Sequence, residues 1–253
     1  MYILEYSELI KNLVISDLKV KYQSSILGFA WSMINPLLMM LVLYLVFSNV
    51  FKFQQEHFDL YLLIGLIAWR FLINGTMTAM TSIAGKPSLV TKIYIPREIL
   101  TFSTTMSTFI SSTLEFAVLI PLLLILGASL SFTILLFPVV HALYFIMVYG
   151  ISLSLSSLYV YFRDLNQIWD IVLQAGFYTA PIIYPISLVP EKIMFFYMLS
   201  PFTRLIMMYR DVLLYGTVPS IYDFLFVAGF GLFCLAFGSL MFRKLSPRFA
   251  EAI

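Results

Sequence analysis

Six long apolar stretches organise this chain. They cover residues 29–51, 60–84, 101–126, 132–162, 168–186 and 222–242. A helix needs about 20 apolar residues to cross a hydrocarbon layer about 30 Å thick, and each stretch approaches or exceeds that length. The fourth is long enough to tilt or protrude. The fifth is interrupted by Pro181 and Pro185. The expected fold is all-α and integral to a membrane, with six transmembrane helices in one domain over residues 1–253. No internal repeat, low-complexity tract or soluble domain is visible.

Three further segments are patterned differently. Across residues 5–24, Tyr6, Leu9, Ile10, Leu13, Val14 and Leu18 recur every three or four positions. Glu5, Glu8, Lys11, Asp17, Lys19 and Lys21 take most of the other face. That spacing predicts an amphipathic helix in the membrane interface, its lysines within reach of anionic headgroups. It leads through LKVKYQSSILGFAW (18–31) into the first span, either as a lever or gate or as an inert anchor. The second segment, AGKPSLVTKIYIPREIL (84–100), is short and basic. Pro87 suits a helix start and Pro96 stops it. It reads as a docking helix for a soluble partner or as an ordinary basic loop. The third lies between the fifth and sixth spans. KIMFFYML (192–199) and FTRLIMMYRDVLLYG (202–216) reach only about 12 and 22 Å as helices. Spanning would also bury Arg204, Arg210 and Asp211 at a steep cost. Two short re-entrant helices over 192–215 are expected instead, bracketed by Pro190, Pro201 and Pro219. They either cap an exit or form a plain interfacial loop.

Composition agrees with a membrane protein. Of 253 residues, 61% are hydrophobic and only 11% charged, and the mean hydropathy is +0.96. The net charge of +2 matters less than where the cations fall. Lys11, Lys19, Lys21, Lys86, Lys92, Arg97, Arg163, Arg243, Lys244 and Arg248 fall on one side. Lys52, Lys192, Arg204 and Arg210 fall on the other. The excess of Lys and Arg predicts that both termini are cytoplasmic. The start, MYILEYSELIK, lacks the basic-then-apolar order of a cleaved signal peptide. The single cysteine, Cys234, excludes an intrachain disulfide.

The chemistry present is sparse. Gly85-Lys86 is followed by Pro87 and lacks the upstream glycine of a phosphate loop, so the chain is not expected to bind ATP. His57 and His141 stand apart without metal-ligand spacing. No Ser/His/Asp grouping or carboxylate pair points to an enzyme. Arg70 and Glu115 are the intramembrane charges, about 12 and 14 residues into the second and third spans at 1.5 Å per residue. They form a structural ion pair or line a path. Trp31, Tyr44, Phe177, Tyr178 and Tyr184 lie on the first and fifth spans. Aromatic faces stack on sugar rings, and they also pack and anchor.

Four stretches in register carry a resemblance. They are DLKVKYQSSILGFAW…NP (17–36), LVTKIYIPRE (89–98), YFRDLNQI (161–168) and APIIYP…SPFTRLIMMYRDVLLYG (180–216). Together they resemble the membrane subunit of ABC exporters for polysaccharides and polyol phosphates, the family that moves O-antigen, capsule and teichoic acid precursors. The resemblance implies a homodimer in the plasma membrane (the inner membrane of a Gram-negative cell). It would work with two separate ATPase subunits that hold the ATP and Mg, and no cofactor would bind this chain. The partners implied are membrane lipid and a lipid-linked glycan, with no nucleic acid. Residues 5–24 would be a gate helix, with Lys19, Lys21 and Tyr22 at the headgroup. The coupling helix, residues 87–95, would use Pro87, Ser88, Leu89, Val90, Thr91, Lys92, Ile93 and Tyr94. Arg204, Tyr209, Arg210 and Asp211 would belong to an outer gate, and the aromatics above would line the path. Arg163 and Asp164 would make structural contacts at the end of the fourth span. Ser200-Pro201 stands where the family usually has asparagine before the proline, and Arg70 where a neutral residue is expected. A drug or small-lipid permease of the same architecture is the alternative, followed by an ATP-independent carrier and a lipid-sugar transferase.

Overall fold

The computed structural model describes residues 6–23, 27–49, 56–92, 95–127 and 131–249. Among them there is no strand. The helices are α1 (Ser7–Tyr22), α2 (Ala30–Asn49), α3 (Phe58–Met80), α4 (Pro87–Lys92), α5 (Glu98–Ile125), α6 (Phe137–Tyr159), α7 (Leu165–Thr179), α8 (Glu191–Leu199), α9 (Pro201–Arg210) and α10 (Ile221–Leu245). A 3-10 turn, Phe132–Leu136, runs into α6, and a π-helical turn, Asp211–Tyr215, continues α9.

Five elements are long and apolar enough to cross a membrane: α2, α3, α5, α6 with its leading turn, and α10 with its trailing turn. The fifth apolar stretch, expected as a span over 168–186 interrupted by Pro181 and Pro185, is helical only in its first part. Its helix starts at Leu165 and stops at Thr179, leaving 15 residues, or about 22 Å. Ala180 is extended, with ψ 148°. The ring of Pro181 clashes with a helical conformation at the preceding residue, so the helix ends there. The two short helices expected over 192–215 form as α8 and α9. Pro201 opens α9, and the Ser200 hydroxyl accepts the Thr203 N–H at 3.4 Å.

α3 is the central helix. Leu60, Leu62, Leu63, Ile64, Ile67 and Ala68 have no exposed surface, and α2, α5, α6, α7 and α9 all pack on it. Between apolar helices in lipid the hydrophobic effect contributes little. Close packing and interhelical hydrogen bonds hold the bundle instead. The polar contacts onto α3 are numerous. Tyr144 donates to the Ala68 carbonyl (3.1 Å), Ser152 to the Gly75 carbonyl (3.3 Å), and Trp169 Nε1 to Thr76 Oγ1 (2.8 Å). Just beyond α3, Ser82 meets Thr101, which donates to Ser156 at 3.1 Å. Other buried hydroxyls of α5 donate to their own helix, as Thr105 does to the Thr101 carbonyl (2.8 Å).

α6 and α10 touch backbone to backbone. A Cβ on Gly150 would collide with the Cys234 and Leu235 main chain, and one on Gly238 with the Gly150 carbonyl. Only glycine allows this approach.

At the other end of α3, one guanidinium fixes the α8–α9 hairpin. Arg210 is 2% exposed. It donates from Nη1 to the Pro181 carbonyl (2.6 Å) and from Nη2 to those of Ile182 (3.1 Å) and Tyr61 (3.2 Å). Nε also points to Tyr61 O at 3.3 Å. Its Cζ stands 3.3 Å from the Tyr61 ring centroid. The Tyr61 hydroxyl donates toward the Tyr184 (2.8 Å) and Pro181 (3.2 Å) carbonyls. The turn after α7 has no helical partners for these carbonyls, and Arg210 and Tyr61 supply them. Burial draws the Arg210 pKa down to about 10, so it is still a cation at neutral pH.

Gly150→Val or Gly238→Val is expected to destabilise the protein by about 3 kcal/mol through overpacking. Gly229→Ala, with nothing within 4 Å of the added carbon, serves as the tolerated control. Thermal unfolding of the purified protein in detergent measures both. Arg210→Lys keeps the charge and loses the planar fork. It should cost about 1.5–3 kcal/mol and expose a cysteine placed at Ile182 to a membrane-impermeant maleimide. Equal labelling with and without Arg210 would show that the clasp does not hold the turn.

Candidate functional site

The candidate residues fall in three zones. At the basic end, α1 does not lie apart from the bundle. Ile10 and Val14 are buried against Ile99, with Leu9, Leu13 and Leu18 packed beside Phe102, Met106 and Ile110 of α5. Glu8 in its first turn and Lys19 and Lys21 in its last complement the helix dipole. Lys19 and Lys21 are exposed. The Tyr22 and Lys92 side chains are outside what is described, as are Ile93 and Tyr94. In α4, Pro87, Ser88 and Thr91 are exposed and Leu89 is half-buried. Val90, by contrast, is buried with Ile83 and Leu100. α4 thus keeps one anchoring side chain inside and offers a small face outside.

Charged contacts lace this end together. Lys86 pairs with Asp17 at 2.8 Å, and Thr104 donates to the other Asp17 oxygen at 3.0 Å. Arg97 donates to the Ser246 carbonyl and lies 5.9 Å from the Phe249 ring. Arg243 stands 3.8 Å from Glu98. Arg163 lies over the Tyr159 ring at 5.2 Å, and the Asp164 carbonyl accepts from Gln167 at 3.0 Å, starting α7.

In the middle zone Arg70 Nη2 is 4.0 Å from Glu115 Oε1, and Glu115 is nearly enclosed. The Lys21 charge acts on the same carboxylate from the end of α1, and the Ser32 hydroxyl donates to the Phe29 carbonyl at 2.8 Å. The Arg70–Glu115 pair therefore joins α3 to α5. The aromatics separate. Phe177 packs on Trp69 at 6.5 Å and Tyr178 is exposed. Tyr184 bonds the Tyr197 hydroxyl and donates to the Tyr178 carbonyl at 3.0 Å. Trp31 and Tyr44 are exposed on α2. Among the described residues no ring contact joins them to the other three.

α7 itself is two-faced. Trp169, Leu173 and Phe177 pack inward. Gln167, Asp170, Gln174 and Tyr178 recur on the opposite, exposed face, and Gln174 donates to Asp170 at 2.8 Å.

At the hairpin end, Arg204 pairs with Asp223 of α10, donates to the Met198 carbonyl (2.6 Å) and stands 4.5 Å from the Phe226 ring. Tyr209 and Arg210 are inside the bundle. Tyr209 stacks on Phe116 at 4.9 Å, and its hydroxyl is 2.6 Å from His141 Nδ1. Asp211 is half-buried, and burial raises its carboxyl pKa above the ordinary range. A cavity of about 590 Å³ opens here between Tyr61, Pro185, Met207, Arg210, Asp211 and Tyr215. Sequence spacing does not reveal Tyr61, Asp17 or Lys86 as organising residues, because each acts on a partner more than 60 positions away. Among the described residues no group of three or more metal-ligating side chains forms.

The sequence model of the ABC-2 type transporter family matches residues 8–214. Two Klebsiella pneumoniae proteins, each named O-antigen export system permease protein RfbA, are 30% and 28% identical over 239 residues. The matches cover 94% of this chain and 92% of each relative. A Myxococcus xanthus protein of the same name is 28% identical over 255 residues, 98% of this chain and 96% of the relative. These relatives are permeases, transport components rather than catalysts. This chain belongs to the ABC-2 type transporter family, as a multi-pass membrane component and not an enzyme.

Proposed function

We propose that this chain is the membrane subunit of an ATP-driven exporter that moves a lipid-linked polysaccharide or polyol phosphate across the plasma membrane. It works as a homodimer with two separate ATPase subunits, which hold the ATP and Mg. The observation that carries the reading is the exposed face of α7. Gln167, Asp170 and Gln174 on a helix flanked by apolar spans are costly against lipid. They are accommodated where the helix faces a second copy or a watered path. The names of the relatives support a glycan as cargo.

In this reading both termini are cytoplasmic, and α7 with the 180–190 segment makes a sixth crossing. α8 and α9 form a re-entrant outer hairpin, held by Arg204, Tyr209, Arg210 and Asp211. α4 docks on the ATPase through Pro87, Ser88, Leu89, Thr91 and the residues after them. ATP binding pushes α4, the spans rotate, and a path opens at the dimer interface. The anionic headgroup meets Lys19, Lys21 and Tyr22. The sugar chain slides along Trp31, Tyr44, Phe177, Tyr178 and Tyr184.

The complex isolated gently from its host should contain two 29.1 kDa chains and two ATPase subunits by native mass. A stable particle without an ATPase contradicts the proposal. Reversing Lys19 and Lys21 to Glu should lower export about tenfold or more at unchanged assembly, since each cation at an anionic surface is worth about 1 kcal/mol. Full export by the double variant would remove the headgroup role.

A further inference from the structure

Asp17 is a single acid in the middle of α1, and both its carboxylate oxygens are engaged. Oδ1 accepts from Lys86 Nζ at 2.8 Å, and Oδ2 from Thr104 Oγ1 at 3.0 Å. The two charged side chains are 21% and 28% exposed, so water screens them only in part. Thr104 on α5 stops the carboxylate from swinging, which fixes where Lys86 must stand. Lys86 in turn is the residue immediately before Pro87, the first residue of α4.

Lys86 stands at the start of α4, and Arg97 caps the start of α5 further along the chain. Arg97 reaches the Ser246 carbonyl and the Phe249 ring, just past the end of α10. Lys86, directly before α4, reaches α1. The apolar contact between α1 and α4 is slight, with Leu13 packed beside the cluster that holds Val90. Apolar contacts of that kind slide. A charged hydrogen bond between a fixed carboxylate and an ammonium has a direction and resists displacement. Lys21 follows Asp17 by four residues, one turn along the same helix, so a shift applied at Asp17 moves Lys21 with it.

We propose that the Asp17–Lys86 pair carries the displacement of α4 to α1, and that these two are positioning residues coupling ATP hydrolysis to the entrance helix. The inference rests on the exporter reading and adds to it the link that transmits the stroke. Neither residue touches cargo or nucleotide. Losing the pair separates hydrolysis from transport rather than stopping hydrolysis.

The test uses the complete complex with its own ATPase in vesicles containing the host's lipid-linked glycan. ATP hydrolysis, export and the thermal midpoint are measured together for Asp17→Asn, Lys86→Met, and the exchange Asp17→Lys with Lys86→Asp. For each single variant, hydrolysis should stay within about twofold while export per ATP falls about tenfold, the size of an ordinary coupling free energy. The thermal midpoint should barely move, and the exchange should recover much of the ratio. Unchanged export per ATP in the single variants overturns the proposal. So does a loss of export that only follows the loss of folded complex, or an exchange that recovers nothing. A parent complex that exports without ATP removes the exporter reading itself, whereas normal parent export with coupled variants removes only the link.

Discussion

Inside hydrocarbon a polar group has no water to turn to, and this bundle is arranged around that constraint. α3 is where most of the debts are settled. Tyr144, Ser152 and Trp169 reach its backbone or its Thr76 hydroxyl, and Arg70 reaches across to Glu115. At its Phe58 end the Tyr61 carbonyl takes the Arg210 guanidinium. Because a misplaced neighbour would leave a buried donor or acceptor unpaired, each contact also sets the position of the helix that makes it. The hydrophobic surface of α3 says only that it is central. The polar contacts say which helix stands where.

The same constraint separates the two ends. At the hairpin end, the buried Arg210 cation is bound to main-chain carbonyls, with no carboxylate ion-paired to it among the described residues, while Arg204 pairs with Asp223 nearer the surface. The Arg210 arrangement withstands burial because the guanidinium spreads its charge over several acceptors. At the basic end, the contacts are ion pairs at partly exposed sites, Lys86 with Asp17 and Arg243 with Glu98. Thr104 holds the Asp17 carboxylate in place for Lys86, whereas Arg243 and Glu98, 3.8 Å apart and more exposed, make the weaker contact. The most deeply buried charge thus holds the hairpin end, and ion pairs within reach of water hold the basic end.

Much of the fold was legible in the chain, because the length and polarity of an apolar stretch are local properties. α2, α3, α5, α6 and α10 follow directly from hydropathy, and α8 and α9 from their short lengths and bracketing prolines. The end of α7 was marked by Pro181, yet the apolar residues after it suggested a longer span, and the backbone restriction before proline prevailed over hydrophobicity. The site residues were less legible. Tyr209 and Arg210 look interfacial in sequence, and only the fold supplies Phe116, His141 and the carbonyls that draw them inside. The amphipathic period of α1 showed its buried face. It gave no sign that Asp17 meets Lys86, 69 positions later.

Vesicles containing the purified chain and its ATPase test the account most directly, by following a lipid-linked glycan from one leaflet to the other. The account predicts movement that requires both proteins and ATP. Movement by this chain alone, without ATP, would contradict it.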